Sequence, residues 1–197
     1  MRRPERGGGA PARTADPFRV VLATVGTMWA AEGADQVAFD GRLDRFGIEP
    51  RTVEGLTGVL LAPFLHAGYG HLLANTLPLL VLGTLVALKG LRRLVTVAVG
   101  VTLLGGVGVW LVGRPAIHLG ASGVTFGLFG YLVAAGFFER RLRSVLLALV
   151  ALVLYGGMFW GVLPGTPGVS WESHLCGLLA GVVVARWVSS DQSRARP

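Results

Sequence analysis

Six long apolar stretches, each close to the length of a helix that crosses a lipid bilayer, constrain this chain more than any other feature in it. They cover residues 18–39, 70–88, 94–112, 122–138, 145–163 and 171–188. A hydrocarbon core about 30 Å thick requires about 20 helical residues to cross it. Inside lipid every backbone N–H and C=O must find a partner within the protein, so such stretches are helices. Composition agrees. The chain is 52% hydrophobic and 15% charged, against about 25% charged residues in a typical soluble domain. The expected fold is therefore all-α, a polytopic bundle of six transmembrane helices. One membrane domain over 18–188 is expected, flanked by polar tails at 1–17 and 189–197.

Punctuation between the stretches fits this division. Lys89-Gly90 and Arg92-Arg93 separate the second and third, Gly113-Arg114-Pro115 ends the third, and a Pro/Gly-rich run from Pro164 to Gly168 divides the last two. The segment 40–65 is long, mixed in charge and partly apolar, and reads as an ordered extramembrane or interfacial loop. Met1–Asp16 is rich in Arg, Gly and Pro, lacks the apolar run of a secretory signal, and reads as a disordered tail. With one cysteine, Cys176, no intrachain disulfide can form; it reads as a packing residue.

The net charge of +7 sits at the ends of the apolar stretches rather than on one face. That pattern argues against nucleic-acid binding, which needs a basic face, and for the flanks of membrane helices. With six spans, fourteen of the 18 basic residues fall on one side, leaving Arg42, Arg45, Arg51 and Arg114 on the other. The richer side is cytoplasmic by the positive-inside rule, so both termini are expected in the cytoplasm. Lys89 is the single lysine among the basic residues, a composition suggesting a GC-rich bacterial genome and hence the bacterial inner membrane.

Three polar groups interrupt otherwise apolar helices. They are His66, His71 and Asn75 at the start of the second, Gly120-Ala121-Ser122-Gly123 at the start of the fourth, and His174 near the start of the sixth. Even-numbered spans all begin on the outer side, so the three groups share one depth. Polar side chains within a membrane are costly and functional by default. A serine hydroxyl needs a base to become a nucleophile, and imidazole is suited to that role. His71 and Asn75, four residues apart, share a helix face and can both donate to an oxyanion. Ser122 opens a helix, where free N–H groups gather. The 17 residues from Ser122 to Phe138 span about 25 Å, which places Ser122 below the outer surface. Small residues at Gly123, Gly127 and Gly130, and at Gly177 and Gly181, would let the fourth and sixth helices approach closely.

These segments, His66-x4-His71-x3-Asn75, Gly120-Ala121-Ser122-Gly123 and His174-x2-Gly177-x3-Gly181, resemble in order the signatures of rhomboid intramembrane proteases. The resemblance implies a six-helix rhomboid bundle with a catalytic dyad of Ser122 and His174. It implies an oxyanion hole of His71, Asn75 and the Ser122 backbone N–H. His66, Gly120, Gly123 and Phe126 would support the site. Phe126, where tyrosine is common, would still stack on His174. The Trp-Arg pair frequent in the family's first outer loop is absent. The implied substrates are membrane-anchored proteins cut in or near their transmembrane segments, with no cofactor and no metal. A catalytic zinc lacks H-E-x-x-H, and the soluble hydrolase elbow G-x-S-x-G is broken by Val124. The alternative from another class is a non-catalytic relative that escorts membrane helices; the intact dyad argues against it. His118, just before the serine, reads as solvated or interfacial. Glu32 and Asp35 read as the outer end of the first helix, where water reaches them.

Overall fold

The computed structural model describes residues 15–194. Most of the tail expected over 1–17, and the last residues of that expected over 189–197, lie outside the described residues. Among the described residues the protein is all-helical, with seven α-helices and one isolated bridge, Ile48 to His118, in place of any sheet. The helices are α1 (Pro17–Ala34), α2 (Gly55–Leu61), α3 (Tyr69–Ala87), α4 (Leu91–Val112), α5 (Ser122–Glu139), α6 (Leu142–Tyr155) and α7 (Trp171–Arg194). The five expected stretches after the first match α3 to α7 closely.

Among the described residues five helical segments are long and apolar enough to cross a membrane: α3, α4, α5, α7, and α6 with its continuation to Val162. The first stretch is less apolar and forms α1, which packs along α3. Asp16 caps it by accepting from Phe18 N–H at 3.0 Å, and Pro17 occupies the first turn, where a missing N–H costs nothing. Its far end differs from expectation. Glu32 and Asp35 are each only 2% exposed. Glu32 accepts from the Gln36 amide, and Asp35 Oδ1 accepts from Leu43 N–H at 2.9 Å. These bonds fold a π turn (Asp35–Phe39) and a short 3-10 helix (Arg42–Phe46) back over the helix end, which excludes the water expected there.

The loop 40–65 is ordered, as its mixed composition suggested. In the absence of the Trp-Arg pair, Arg51 and Trp110 fasten it to α4. Arg51 Nη1 donates to the carbonyls of Gly113 and Leu111, and Trp110 Nε1 donates to Thr52 O at 2.7 Å. Trp110 thus serves as a strut between α4 and the loop.

Helix α5 is the centre of the bundle and packs against α3, α4, α6 and α7. Its contact with α7 is the closest. A Cβ on Gly177 would stand 2.0 Å from Gly123 O, and one on Gly181 would stand 2.0 Å from Gly127 O. Lipid tails are as apolar as leucine, so helices in a membrane associate by such close packing rather than by the hydrophobic effect. On the opposite flank α6 exposes Leu146, Leu149, Val153 and Leu154, a surface suited to lipid.

The end of the bundle away from the three polar groups carries an ionic cluster that sequence counting treated as loop charge. Lys89 Nζ and Arg93 Nη1 turn inward onto Glu139 at 2.7 and 2.9 Å, and Tyr131 OH and Ser144 complete the set. Helix α6 also differs in its last part. At Gly156-Gly157 it tightens into a 3-10 helix over Gly156–Val162, as expected where two glycines weaken an α-helix.

The α5–α7 contact makes a direct prediction. Gly181→Val should destabilise the protein by about 1–3 kcal/mol through overpacking. Gly157→Ala, where an added Cβ meets open space, should cost nothing. Thermal unfolding in detergent micelles distinguishes the two; equal melting temperatures would contradict the packing described.

Candidate active site

The N-terminal ends of α3, α5 and α7 surround one cavity of about 670 Å³. His71 and Asn75, Ser122 and Phe126, and His174 all line it, so the three polar groups that the sequence singled out do converge. Convergence follows from the glycine contact between α5 and α7. Next to Ser122, a Cβ on Gly123 would stand 3.3 Å from the carbonyl oxygen of Ser173, the neighbour of His174. No direct hydrogen bond joins Ser122 and His174 among the described residues, the looser geometry common before substrate binds.

The His174 ring is held from two directions. Phe126 stacks on it with centroids 4.0 Å apart and planes 7° apart, as the resemblance implied. His174 Nδ1 lies 2.8 Å from Gly161 O, in the 3-10 segment after α6. A carbonyl oxygen can only accept, so Nδ1 carries the proton and Nε2 of the neutral ring keeps its lone pair. That is the tautomer a general base requires. Gly161 contributes a backbone atom from a helix that unwinds, so no side-chain motif could announce it.

His71 takes the opposite tautomer for the same kind of reason. Its Nδ1 accepts from Ala67 N–H at 3.3 Å, which leaves the proton on Nε2. Asn75 Nδ2 spends one hydrogen on His71 O at 3.0 Å and keeps the other. Both groups lie beside Gly120. That residue has φ +107°, and a Cβ there would stand 2.8 Å from His71 Nε2. Only glycine combines this backbone conformation with this clearance. Ser122 N–H, the first of its helix, has no partner among the described residues, as first-turn groups lack one within the helix. Three N–H donors are therefore unspent around the mouth of α5.

His66 sits behind the cavity wall and does not line it. It is fully buried, and its Nε2 accepts from Ala121 N–H at 3.3 Å. Together with the bond from Gly120 N–H to Ala62 O at 2.9 Å, it pins the turn before Ser122. Burial, aided by the neighbouring His71 ring and opposed by the Phe64 backbone, lowers its pKa to about 4. His118 corrects the sequence reading. It is 2% exposed rather than solvated, because its backbone pairs with Ile48 and its ring bridges Arg114 O and Ser170 Oγ. Cys176 is half-buried against Gly108, a packing position. No cluster of three or more His, Cys, Asp or Glu is placed to share a metal among the described residues.

The depressed pKa of His66 has a definite sign. Its folded state holds the neutral ring, so between the unfolded value of 6.5 and about 4 the unfolded chain binds more protons. Stability should be fully present above pH 6.5 and fall as the pH is lowered toward 4. His66→Gln keeps an acceptor for Ala121 and cannot titrate. Melting curves across this range should be flatter for the variant, and an unchanged slope would assign the effect elsewhere.

The chain is similar to known proteins over most of its length. The Rhomboid domain model matches residues 54–191. The uncharacterized protein Rv1337 of Mycobacterium tuberculosis is 43% identical over 185 residues, covering 89% of this chain and 77% of that protein. The uncharacterized protein ML1171 of Mycobacterium leprae is 40% identical, covering 89% and 73%. A more distant relative, Putative rhomboid protease YdcA of Bacillus subtilis, is 28% identical over 135 residues, 64% of each chain.

Proposed function

The chain belongs to the rhomboid family, and from that premise we propose that it is an intramembrane serine protease with Ser122 as nucleophile and His174 as general base and acid. The observation that carries this reading is the shared cavity. One chamber is lined by a serine, by a histidine whose Nε2 is free to accept, and by two neutral donors.

The proposed reaction has two halves, acylation and deacylation of the serine. Ser122 Oγ attacks the scissile carbonyl carbon while His174 Nε2 takes its proton. The imidazolium so formed keeps its Nδ1–H on Gly161 O and its face on Phe126. The carbonyl oxygen becomes an oxyanion and is met by His71 Nε2–H, the free Asn75 N–H and Ser122 N–H. Collapse breaks the C–N bond as His174 returns the proton to the leaving amine, giving an ester on Ser122. His174 then removes a proton from water, whose oxygen attacks the ester. The second collapse breaks the ester C–O bond as His174 gives that proton to Ser122 Oγ, which releases the carboxylic acid and restores both the serine and the neutral ring.

The substrates are membrane-anchored proteins cut in or near a transmembrane segment. The protein is a multi-pass membrane protein. Its basic-rich side faces the cytoplasm with both termini, so the cavity opens on the outer side of the cell membrane.

A fluorescent serine-directed phosphonate should label the purified protein and not Ser122→Ala. In cleavage of single-span membrane substrates, Ser122→Ala and His174→Ala should abolish product. Asn75→Ala should lower kcat about a hundredfold, the scale of one lost oxyanion donor. Wild type that neither labels nor cleaves would favour the escort role instead.

A further inference from the structure

Among the described residues Arg114 is the one side chain on the cavity wall with a formal charge. Among the described residues no Asp, Glu or Lys lines it. Arg114 follows the last turn of α4, and Pro115, lacking an N–H, stops the helix from continuing. Its guanidinium is fixed rather than free. Nη2 donates to Val169 O at 2.7 Å, and Nη1 stands 3.5 Å from Glu172 Oε2. Glu172 is a sound anchor, because its carboxylate sits in the first turn of α7, where the helix dipole favours negative charge. The two partners differ in access. The Glu172 side chain is 4% exposed and that of Arg114 is 44% exposed. The acid thus lies beneath and the guanidinium presents itself. One N–H is engaged in a hydrogen bond to Val169 and Nη1 is paired with Glu172, which leaves the Nε–H and the second Nη2 N–H without a partner among the described residues.

A carboxylate entering such a chamber loses water and needs charged donors to replace it. His71, Asn75 and Ser122 N–H lie where the oxyanion forms. A guanidinium held in place on the wall of the same cavity loses little side-chain entropy when it binds. We infer that Arg114 is a specificity-determining residue, which selects substrates bearing an acidic side chain close to the scissile bond. This assignment rests on the protease reading above. Glu172 cancels the arginine's charge at longer range, so the preference is confined to one or two substrate positions. A substrate lysine or arginine at the same position meets like charge and is disfavoured. A purely structural strut between α4 and the α7 loop would give none of this discrimination.

The test uses the full chain in liposomes with a panel of single-span substrates that share one transmembrane segment and one small-residue cleavage site. Each position flanking the scissile bond is set in turn to Asp, Asn or Lys, and kcat/KM is measured. At one or two positions Asp should exceed Asn by about fivefold, the scale of a partly exposed ion pair, with Lys below both. The Asp/Asn ratio within each enzyme variant cancels any general loss of folded protein. Arg114→Gln should bring that ratio to one, Arg114→Glu should invert the order in favour of Lys, and Arg114→Lys should give an intermediate ratio. Ser122-dependent cleavage with no charge preference, or a preference that survives in Arg114→Gln, overturns the assignment and leaves the protease reading intact. No Ser122-dependent cleavage of any member overturns both.

Discussion

The contact on which the rest of the molecule depends is that of two backbones. Along α5 and α7 the carbonyls of Gly123 and Gly127 occupy the space that side chains on Gly177 and Gly181 would fill. Water supplies no force to join helices inside lipid, so the approach is stabilised by dispersion, which is appreciable only at such distances. The same contact sets the register of the two helices. Ser122 and His174 lie at matching ends of the paired glycine rows, so the packing that builds the fold also assembles the candidate site.

The polar groups around that contact are fixed by a second rule. Each histidine meets a backbone atom that can only donate or only accept. Gly161 O sets the proton of His174 on Nδ1, Ala67 N–H sets that of His71 on Nε2, Ala121 N–H leaves the proton of His66 on Nδ1, and Arg114 O sets that of His118 on Nε2. Protonation states are thereby assigned by the fold before a substrate arrives. Donors and acceptors arranged in advance in a site of low polarity need little reorganisation as charge develops. Arg114 follows the same logic, oriented by Val169 and Glu172 rather than by a ligand.

Much of this was legible in the sequence because two signals are local. Apolar length marks the helices, and costly polar residues mark the site. The glycine rows gave the pairing of α5 with α7, and Phe126 its stack on His174. What escaped depends on tertiary contacts that leave no local trace. Glu32, Asp35 and His118 look solvent-facing by position and are buried because distant backbone segments fold over them. Lys89 and Arg93 count toward a basic flank, yet both turn inward to Glu139 from the end of α5. Gly161 acts through a carbonyl that is exposed to His174 only because the chain leaves α-helical geometry after Tyr155.

The most direct test is the nitrogen NMR spectrum of His174 in lipid bilayers near neutral pH, recorded for the native chain and for Ser122→Ala. The expected result is a neutral ring protonated at Nδ1 with an unprotonated Nε2, in the native chain and in Ser122→Ala alike, because Gly161 O fixes the tautomer. A proton on Nε2 at neutral pH, whether on a neutral or a charged ring, would contradict a base ready to accept from Ser122.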